Sequence, residues 1–452
     1  MNRNTDRIVF GTDGWRGIIA DTFTFSNVRR VTQAIADYIH RNNPSPRGIV
    51  IGYDHRFQGE AFAHAAAEVL LGNDIPVCIA TAPLPTPVIS FAARHHQLDG
   101  GIMITASHNA AEWNGIKFKT PQGASAEPEV TKQFEELIDA TPVRTLASAR
   151  AASRLQLELP LEQPYFDWVR AFILTDILRR GRWNIVVDSM YGVGKRYIEE
   201  LLDGTAHTVT TIRAEHNPSF GGIAPEPVTK NMAATVAAVR QQHADIALVT
   251  DGDADRLAAL DGAGDYIITP YIAVLIALYL LTKRGRTGCI VKTLSCSVMV
   301  DRFARAHGLA VHEKPVGFKH IVPYLLSGEA LVGTEESGGL GIQGHIPERD
   351  GILGALLFLE AVIGLGFNNA GEALQYLDAQ YGKLRYHRVD AHYTPQQRAT
   401  FLQQLEAHPP KELLGRRVVN IQDYDGVKFE CTDDVWLLLR FSGTEPVVRF
   451  YA

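Results

Sequence analysis

The chain has 452 residues, 46% of them hydrophobic and 21% charged, which is typical of a globular protein of several domains and excludes disordered and fibrous classes. Its formal net charge is -6, from 44 Lys and Arg against 50 Asp and Glu, which argues against nucleic acid or an anionic membrane as a partner. The four cysteines are scattered, the N-terminus is polar, and the longest apolar run (271–281) is too short to span a bilayer. We therefore expect a cytoplasmic protein without a disulfide scaffold.

One arrangement occurs three times along the chain: an apolar, β-branched run, a polar loop and a helical stretch. The runs are 48–54, 183–188 and 289–292, and the helical stretches are 60–72, 195–202 and 299–307. Near-continuous apolar strands that alternate with helices indicate parallel sheets covered on both faces. The pattern predicts three α/β domains of similar build, at 1–145, 165–262 and 263–380, although one large doubly wound sheet would also fit it.

Two further segments complete the domain prediction. Periodicity weakens between 141 and 164, which indicates a linker with an extended arm. From residue 386 onward strand-like and loop segments dominate, with one helix at 395–407, so we predict a smaller α+β domain at 385–452.

The first loop with chemical potential follows the apolar run 101–104 and contains Thr105, Ser107, His108 and Asn109. A serine in a tight turn after a buried strand can serve as a nucleophile or carry a phosphoryl group. Lys117, ten residues after Ser107, supplies a cation that can fold back over the loop. The alternative is an ordinary turn with a helix-capping serine.

The second loop carries Asp251, Asp253 and Asp255 after another apolar run, and carboxylate oxygens are ligands that Mg²⁺ prefers. A calcium EF-hand would need glycine and glutamate where the chain has Arg256 and Gly262. A phosphatase of the haloacid dehalogenase type would use Asp251 as its nucleophile, but usually has Thr or Val at the position of Asp255. Because three close carboxylates repel one another, a solvated acidic turn is disfavoured and the loop predicts a metal site.

The third loop, 333–339, places Glu335 and Ser337 between glycines. A carboxylate and a hydroxyl at this spacing can bind vicinal hydroxyl groups of a sugar, although a helix N-cap fits equally well.

The fourth loop combines a guanidinium, two hydroxyls and a glycine amide, which together suit a phosphate group. Its residues are Arg440, Ser442, Gly443 and Thr444, with Arg449 following. A strand-ending turn with an exposed arginine is the alternative.

In this order and spacing the loops resemble those of the α-D-phosphohexomutase family, the phosphoglucomutases and phosphomannomutases. The resemblance covers essentially the whole chain, from Phe-Gly-Thr-Asp-Gly-Trp-Arg-Gly at 10–17 to 440–446. It implies an α/β enzyme of four domains, three similar and one smaller, around a central cleft to which each domain contributes one loop. Such an enzyme interconverts hexose 1-phosphate and hexose 6-phosphate through a phosphoserine and a 1,6-bisphosphate intermediate.

The resemblance also implies roles for individual residues. Ser107 would carry the phosphoryl group and, with Asp251, Asp253 and Asp255, would hold Mg²⁺. Arg16, His108, Asn109 and Lys117 would surround the phosphoserine, with His108 or Lys117 as acid and base. The residues expected to bind the hexose phosphate are Asn109, Arg256, Lys292, Lys319, Glu335, Ser337, Arg440, Ser442, Gly443, Thr444 and Arg449. Glucose 1,6-bisphosphate would be the activator, and we expect a monomer or homodimer.

The chain departs from the family pattern at two places. Ala110 stands where the family often has proline, and the sequence ends at Phe450-Tyr451-Ala452, where the family normally continues through a final strand and helix. We therefore expect the layer that supports the fourth loop to be short.

The loop Glu335-Glu336-Ser337 and the segment 315–319 are similar to the branch that processes glucose. Phosphoglucosamine mutases usually have glutamine in the middle of this loop and histidine after the glycine. We expect glucose 1-phosphate as the substrate, with mannose 1-phosphate second. A phosphoglucosamine mutase, a non-catalytic sensor of sugar phosphates and a Mg²⁺-dependent phosphatase that uses Asp251 are the alternatives.

Overall fold

The computed structural model describes residues 8–11, 13–146, 156–441 and 447–452. In these ranges the strands form four separate sheets, and the helices pack around them. The prediction of three similar α/β domains and a smaller C-terminal α+β domain is confirmed, and the alternative of one large doubly wound sheet is wrong. We number the four sheets, with the helices that surround them, as domains I to IV.

Domain I has five strands in the order β1-β5-β4-β2-β3. The strands are β1 Trp15–Ile18, β2 Ile49–Tyr53, β3 Val77–Ile79, β4 Gly100–Ile104 and β5 Trp113–Lys119, and the helices are α1 Phe25–Asn42, α2 Gly59–Gly72, α3 Thr86–His95 and α4 Pro128–Leu137. Strands β3, β2 and β4 are parallel, whereas β5 is antiparallel to β4. The predicted extended arm contacts this sheet, because the Leu157 amide donates a hydrogen bond to the Val77 carbonyl (2.8 Å).

Domain II repeats this order as β10-β9-β8-β6-β7. The strands are β6 Asn184–Asp188, β7 Thr208–Ile212, β8 Ile246–Thr250, β9 Leu257–Asp261 and β10 Tyr266–Ile267, and the helices are α5 Glu162–Phe172, α6 Thr175–Leu178, α7 Tyr197–Leu201 and α8 Ala233–Gln242. Helix α7 is shorter than predicted, because Lys195 has a φ of 41°, which an α-helix does not allow.

Domain III has the strand order β12-β11-β13-β14. The strands are β11 Cys289–Thr293, β12 Val311–Lys314, β13 Ala330–Thr334 and β14 Leu340–Ile342, and the helices are α9 Thr269–Thr282, α10 Met299–Ala306, α11 Val322–Leu326, α12 Gly351–Leu365 and α13 Ala370–Tyr381.

Domain IV is an antiparallel sheet in the order β15-β20-β19-β18-β17-β16. The strands are β15 Arg388–His392, β16 Glu412–Leu413, β17 Arg416–Gln422, β18 Val427–Cys431, β19 Trp436–Phe441 and β20 Val447–Tyr451, and the helix α14, Pro395–Ala407, lies where the sequence predicts it. Strand β20 follows the predicted phosphate loop and pairs with both β15 and β19, so a final strand is present in the layer that we expected to be short. Short 3-10 helices lie at Phe220–Gly222, Thr229–Asn231, Phe318–His320 and Thr432–Asp434.

Each sheet of domains I to III contains one connection that occupies the same position in the strand order. In each, a central strand (β2, β6 or β11) pairs in parallel with both neighbours, and one of those neighbours then pairs with an antiparallel strand. The serine, aspartate and glutamate loops are the connections β4–β5, β8–β9 and β13–β14. Because each loop leads into a strand, the alternatives of a helix-capping turn at Ser107 and a helix N-cap at Glu335 are wrong.

One hydrophobic cluster extends through domains I to III, and it includes much of α9 and α12. Both helices are buried and predominantly apolar, as expected for helices inside a multidomain core, and the one charged residue of α12, Glu360, pairs with Arg284. No single helix in the described ranges is long and apolar enough to cross a membrane, and α12 and α13 reach that length and composition only as a pair bent by 73°.

Asp350 ties α12 to its surroundings. Its Oδ1 accepts hydrogen bonds from the backbone amides of Ile352 (3.0 Å) and Leu353 (2.9 Å), as an N-cap residue does. The same carboxylate accepts a hydrogen bond from the buried hydroxyl of Tyr165 and lies 2.9 Å from His345 Nε2. It therefore holds α5 of domain II against the start of α12.

We expect Asp350→Ala to lower the free energy of unfolding by about 3 kcal/mol, because it removes an N-cap and leaves the buried Tyr165 hydroxyl and the buried Nε2 of His345 without this partner. Asn369→Ala is the matched control, since Asn369 caps the exposed start of α13 and contacts only the Glu372 amide through its side chain. That control is expected to cost about 1 kcal/mol. Urea unfolding of both variants measures the difference, and equal losses would contradict the assignment.

Candidate active site

The three equivalent loops of domains I to III meet through their backbones. The Leu257 amide donates a hydrogen bond to the Gly338 carbonyl (2.9 Å), and Arg256 forms a β-bridge with Gly339, so the aspartate and glutamate loops pair directly. Between domains I and II, a Cβ added at Gly252 would lie 2.5 Å from the carbonyl oxygen of Ser107. Only glycine allows this close approach of the aspartate loop to the serine loop.

Ser107 is buried and aimed at the aspartate loop. Its Oγ donates a hydrogen bond to Asp251 Oδ2 (2.9 Å), and its amide donates one to Thr105 Oγ1 (2.8 Å). Its φ is 53°, in the left-handed region that serine rarely adopts. Such strained backbone conformations cluster at functional sites, where neighbouring contacts hold them.

Asp251, Asp253 and Asp255, the predicted metal ligands, converge on one place and could together hold a metal ion. One carboxylate oxygen from each lies within 4.8 Å of the others, and all three side chains are buried. Oδ1 of Asp253 and Oδ1 of Asp255 have no hydrogen-bond partner among the described residues. Because buried carboxylate oxygens are costly to leave unpaired, these atoms fit a hard divalent cation such as Mg²⁺.

The environments of Asp251 and Asp253 shift the pKa values of these two aspartates in opposite directions. Burial and the neighbouring charges of Asp253 and Asp255 raise the pKa of Asp251 well above its ordinary value. Burial acts in the same direction on Asp253, but the Lys117 ammonium and the Thr86 hydroxyl outweigh it and hold the pKa of Asp253 below its ordinary value.

Lys117 neutralises part of this acidic cluster. Its Nζ lies 2.8 Å from Asp13 Oδ2, 2.7 Å from Asp253 Oδ2 and 2.9 Å from Asp255 Oδ2. Burial alone would lower the pKa of Lys117, but these three carboxylates together raise it. The side chain is therefore an ammonium ion in this arrangement.

Arg16, Asn109 and His108 lie beside the serine, as the resemblance implies. Arg16 donates a hydrogen bond to Asn109 Oδ1 (2.6 Å), and His108 Nδ1 lies 3.5 Å from Ser107 Oγ. Burial, together with the positive charges of Arg256 and Arg16, holds the pKa of His108 well below its ordinary value. Its imidazole is therefore neutral beside the serine.

Sequence reasoning missed Asp13 and Arg349 as members of the site. Arg349 is buried, binds Asp13, and lies 2.9 Å from Asp255 Oδ2 and 3.5 Å from Glu335 Oε2. It thus joins the aspartate loop to the glutamate loop. Asp13 lies in the quoted 10–17 segment, and Arg349 precedes a helix that is apolar except for Glu360, where a charged residue is a weak signal for a buried role.

The cluster brings together charges of both signs. The carboxylates of Asp13, Asp251, Asp253 and Asp255 face the cations Arg16, Lys117, Arg256 and Arg349. Glu335 and Glu348 also approach Arg349, and Lys119 approaches Asp13. A phosphoryl group on Ser107 would add about -1.5 to -2 charges. A divalent cation would offset that addition, so the arrangement suits the two together better than either alone.

Glu335 enters the site, whereas its neighbour Glu336 points elsewhere. The Glu335 carboxylate is buried near Arg349, and burial raises its pKa. Glu336 accepts a hydrogen bond from Ser295 Oγ (2.5 Å), and Ser337 is half-buried in the same loop.

Four further predicted substrate residues that the structure describes, Lys292, Lys319, Arg440 and Arg449, lie outside this cluster. Lys292 is buried between Asp301 (2.6 Å) and Glu313 (3.2 Å), and Lys319 lines a cavity of about 660 Å³ between domains I and III. Arg440 Nε donates a hydrogen bond to Asp425 Oδ1 (2.9 Å), and Arg449 Nε lies 3.8 Å from Asp390. Ser442, Gly443 and Thr444 lie outside the described residues.

Family models match the chain over most of its length. They are described as phosphoglucomutase/phosphomannomutase alpha/beta/alpha domain I, domain II and domain III, and they match residues 7–144, 163–264 and 270–380. The chain belongs to the phosphoglucomutase/phosphomannomutase family. The resemblance is thus confirmed, as is the class of enzyme that it implies, the intramolecular phosphotransferases.

Similar proteins of this family carry different substrate names. A phosphoglucomutase/phosphomannomutase of Thermococcus kodakarensis is 29% identical, over 98% of this chain and 94% of its own length. A phosphoglucosamine mutase of a Ruegeria species is 28% identical, over 99% and 94%. The crystal structure of a candidate phosphomannomutase from Thermus thermophilus is 32% identical, covers 99% of this chain and 95% of that one, and has a TM-score of 0.85.

The unpaired carboxylate oxygens lead to a prediction about metal binding. After EDTA treatment, Mg²⁺ is expected to raise the melting temperature of the wild type, since a ligand at 100 times its Kd stabilises by about 2.7 kcal/mol. Asp255→Asn should remove this increase, whereas Asp203→Asn, at an exposed site in domain II, should keep it. Thermal melting with and without Mg²⁺ measures the effect, and an equal increase in Asp255→Asn would contradict the site.

Gly252→Ala tests the contact between the serine and aspartate loops. We expect kcat to fall on the order of 100-fold, because a displacement of about 1 Å is enough for such a loss. Gly354→Ala is the control, since its Cβ would lie 3.4 Å from the nearest atom, Leu340 Cδ1. Steady-state kinetics measures kcat for both variants. A wild-type kcat in Gly252→Ala would show that the close contact between the two loops is not needed.

Proposed function

We propose that this chain is a phosphohexomutase that interconverts hexose 1-phosphate and hexose 6-phosphate through a phosphoserine at Ser107 and a 1,6-bisphosphate intermediate. The observation that carries the proposal is the buried Ser107 hydroxyl, hydrogen-bonded to Asp251 at a cluster with two unpaired carboxylate oxygens. A plain binding protein has no need for a strained serine at such a place.

Asp251, Asp253 and Asp255, with an oxygen of the Ser107 phosphoryl group, are the proposed ligands of Mg²⁺. When bound, the ion offsets negative charge on the transferring group. The protein's own cations would offset the remaining negative charge. We propose that Lys117, Arg256 and Arg16 surround the place where the phosphoryl group would lie.

In the first half-reaction the bond between phosphorus and Ser107 Oγ breaks, and a bond forms between phosphorus and the free hydroxyl oxygen of the hexose phosphate. The proton of that hydroxyl is lost to a base, and Ser107 Oγ gains a proton. His108 and Lys117 remain the two candidates for this acid and base work. The second half-reaction reverses these bonds with the other phosphate of the bisphosphate, which must first turn end over end in the cleft.

Exclusion of water keeps the phosphoryl group on Ser107 between turnovers. Phosphate monoesters hydrolyse very slowly without catalysis, so a buried phosphoserine can wait for substrate. Ser107 is 1% exposed, which supports this role. Glucose 1,6-bisphosphate is the proposed activator, because it can phosphorylate an unmodified Ser107.

For substrate binding we propose Glu335 and Ser337 as partners of the sugar hydroxyls, and Asn109, Lys292 and Lys319 as positioning groups. Arg440, Ser442, Gly443, Thr444 and Arg449 would bind the phosphate that does not react. Glucose is the favoured sugar and mannose the second, from the Glu335-Glu336-Ser337 loop. A glucosamine substrate is the alternative, since phosphoglucosamine mutases are among the similar proteins.

The decisive assay follows conversion of glucose 1-phosphate, mannose 1-phosphate and glucosamine 1-phosphate to their 6-phosphates, with Mg²⁺ and a trace of glucose 1,6-bisphosphate. We expect the highest rate with glucose, no release of inorganic phosphate, and loss of activity with EDTA. Release of phosphate would instead favour a phosphatase that uses Asp251. Absence of conversion, with no phosphate on Ser107, would favour a sensor.

Ser107→Ala is expected to lower kcat on the order of 1000-fold or more, because it removes the atom that carries the phosphoryl group. Ser45→Ala, at an exposed serine of domain I, is the control and should leave kcat unchanged. Mass spectrometry after incubation with glucose 1,6-bisphosphate should find the added phosphate on the peptide with Ser107. A Ser107→Ala enzyme with near-normal kcat would refute the mechanism.

A further inference from the structure

Arg56 places a fully buried guanidinium against the backbone of the serine loop. The sequence motifs do not include this residue, and the proposed mechanism gives it no role. Its side chain is 0% exposed. All five of its N–H groups are used: Nε donates to Asp54 Oδ2 (3.1 Å), and the other four go to backbone carbonyl oxygens.

Three of the four carbonyls belong to the β4–β5 connection that carries Ser107, and the fourth belongs to Trp113, the first residue of β5. One terminal nitrogen donates to the carbonyl oxygens of Ser107 (2.7 Å) and Asn109 (2.6 Å), and the other to those of Ala110 (2.7 Å) and Trp113 (2.9 Å). A loop that curves around a buried cation can point several carbonyls inward without leaving them unpaired. A planar guanidinium with five fixed donors can satisfy all of them, whereas a lysine ammonium has only three.

The same group also fixes the other side of Ser107. Asp54 Oδ2 accepts hydrogen bonds from both Arg56 and Thr105 Oγ1, and Thr105 Oγ1 in turn accepts one from the Ser107 amide. The carbonyl of Ser107 is therefore held by Arg56 directly, and its amide is held through Thr105. Together these contacts hold the left-handed φ of 53° that aims Oγ at Asp251.

Arg56 also lies where domains I and II meet. The Phe220 ring of domain II lies 4.9 Å from its guanidinium carbon, and the neighbouring His55 forms a hydrogen bond with the Tyr191 carbonyl (2.7 Å). Ser107 and Asp251 come from these same two domains, so their 2.9 Å contact depends on this junction.

From these contacts we infer that Arg56 is a positioning residue for phosphoryl transfer: its guanidinium fixes the backbone of the serine loop so that Ser107 Oγ stays aligned with the metal site. The inference rests on the proposed function for its kinetic consequence, but not for its structural one. Arg56 makes no hydrogen bond to Ser107 Oγ, Asp251 or His108, so its loss should slow transfer without weakening the binding of the sugar phosphate.

The test compares Arg56→Lys with Arg213→Lys. Arg213 forms a similar buried pair with Asp188 in domain II and makes no contact with the serine loop, so it controls for the loss of a buried arginine–aspartate pair. We expect Arg56→Lys to lower kcat on the order of 100-fold with KM changed less than about twofold, because displacement of the reacting atom affects the chemical step. Arg213→Lys, at a comparable fall in melting temperature, should keep kcat.

Two further measurements keep the inference open to refutation. Hydrogen exchange of the peptide that covers 105–113 should speed up at least about tenfold in Arg56→Lys and not in Arg213→Lys, whether or not the wild type is a mutase. In Arg56→Ala, millimolar methylguanidinium should restore part of the rate at which Ser107 is phosphorylated.

If Arg56→Lys does not fold, Thr105→Val replaces it, because it breaks the link between Asp54 and the Ser107 amide.

The outcomes separate the two proposals. If the wild type converts no hexose phosphate, the proposed function fails, and the exchange experiment alone decides about Arg56. If the wild type is active and Arg56→Lys matches Arg213→Lys in kcat and in exchange, the positioning role is wrong.

Discussion

Mutual repulsion of three buried carboxylates is the constraint around which this molecule is organised. Asp251, Asp253 and Asp255 bring ligand oxygens within 4.8 Å of one another in a site without solvent access. Such a cluster is unstable unless cations approach it, and they come from different domains. Lys117 comes from domain I and Arg349 from domain III, so the positions of the domains and the electrostatics of the site determine each other.

This dependence explains why the three sheets present equivalent connections at one place. A connection between a parallel strand and its antiparallel neighbour leaves the same edge of each sheet, so three similar domains arranged around one point deliver three loops to it. The first loop provides the hydroxyl, the second the proposed metal ligands, and the third the groups proposed to bind sugar. The groups of the site are thus divided among three domains of one topology. The requirement for charge balance holds these domains together.

Local patterns in the sequence were sufficient to predict the domains and the centre of the site. Ser107 and the three aspartates are few residues apart within their loops and follow apolar runs, so their chemistry is visible without the fold. Arg56, Asp13 and Arg349 were not found, because their partners are distant in sequence: Arg349 pairs with Asp13, 336 residues earlier. An isolated arginine becomes informative only when the fold shows which carbonyls or carboxylates surround it. The sequence likewise did not predict that Asp301 and Glu313 lie beside the ammonium of Lys292.

The distribution of apolar clusters has a consequence for how the chain melts. Domains I to III share one continuous core, whereas domain IV has a small core of its own. Domain IV joins domain III through a patch around Leu294 and Trp436 and through polar contacts such as Lys428 with Glu313. Heating can therefore disrupt the two cores in separate steps, and the melting temperature that Mg²⁺ is expected to raise is that of the shared core. A metal ion at the aspartate cluster would shift only the transition of the shared core, which makes the two cooperative units distinguishable in one calorimetric scan.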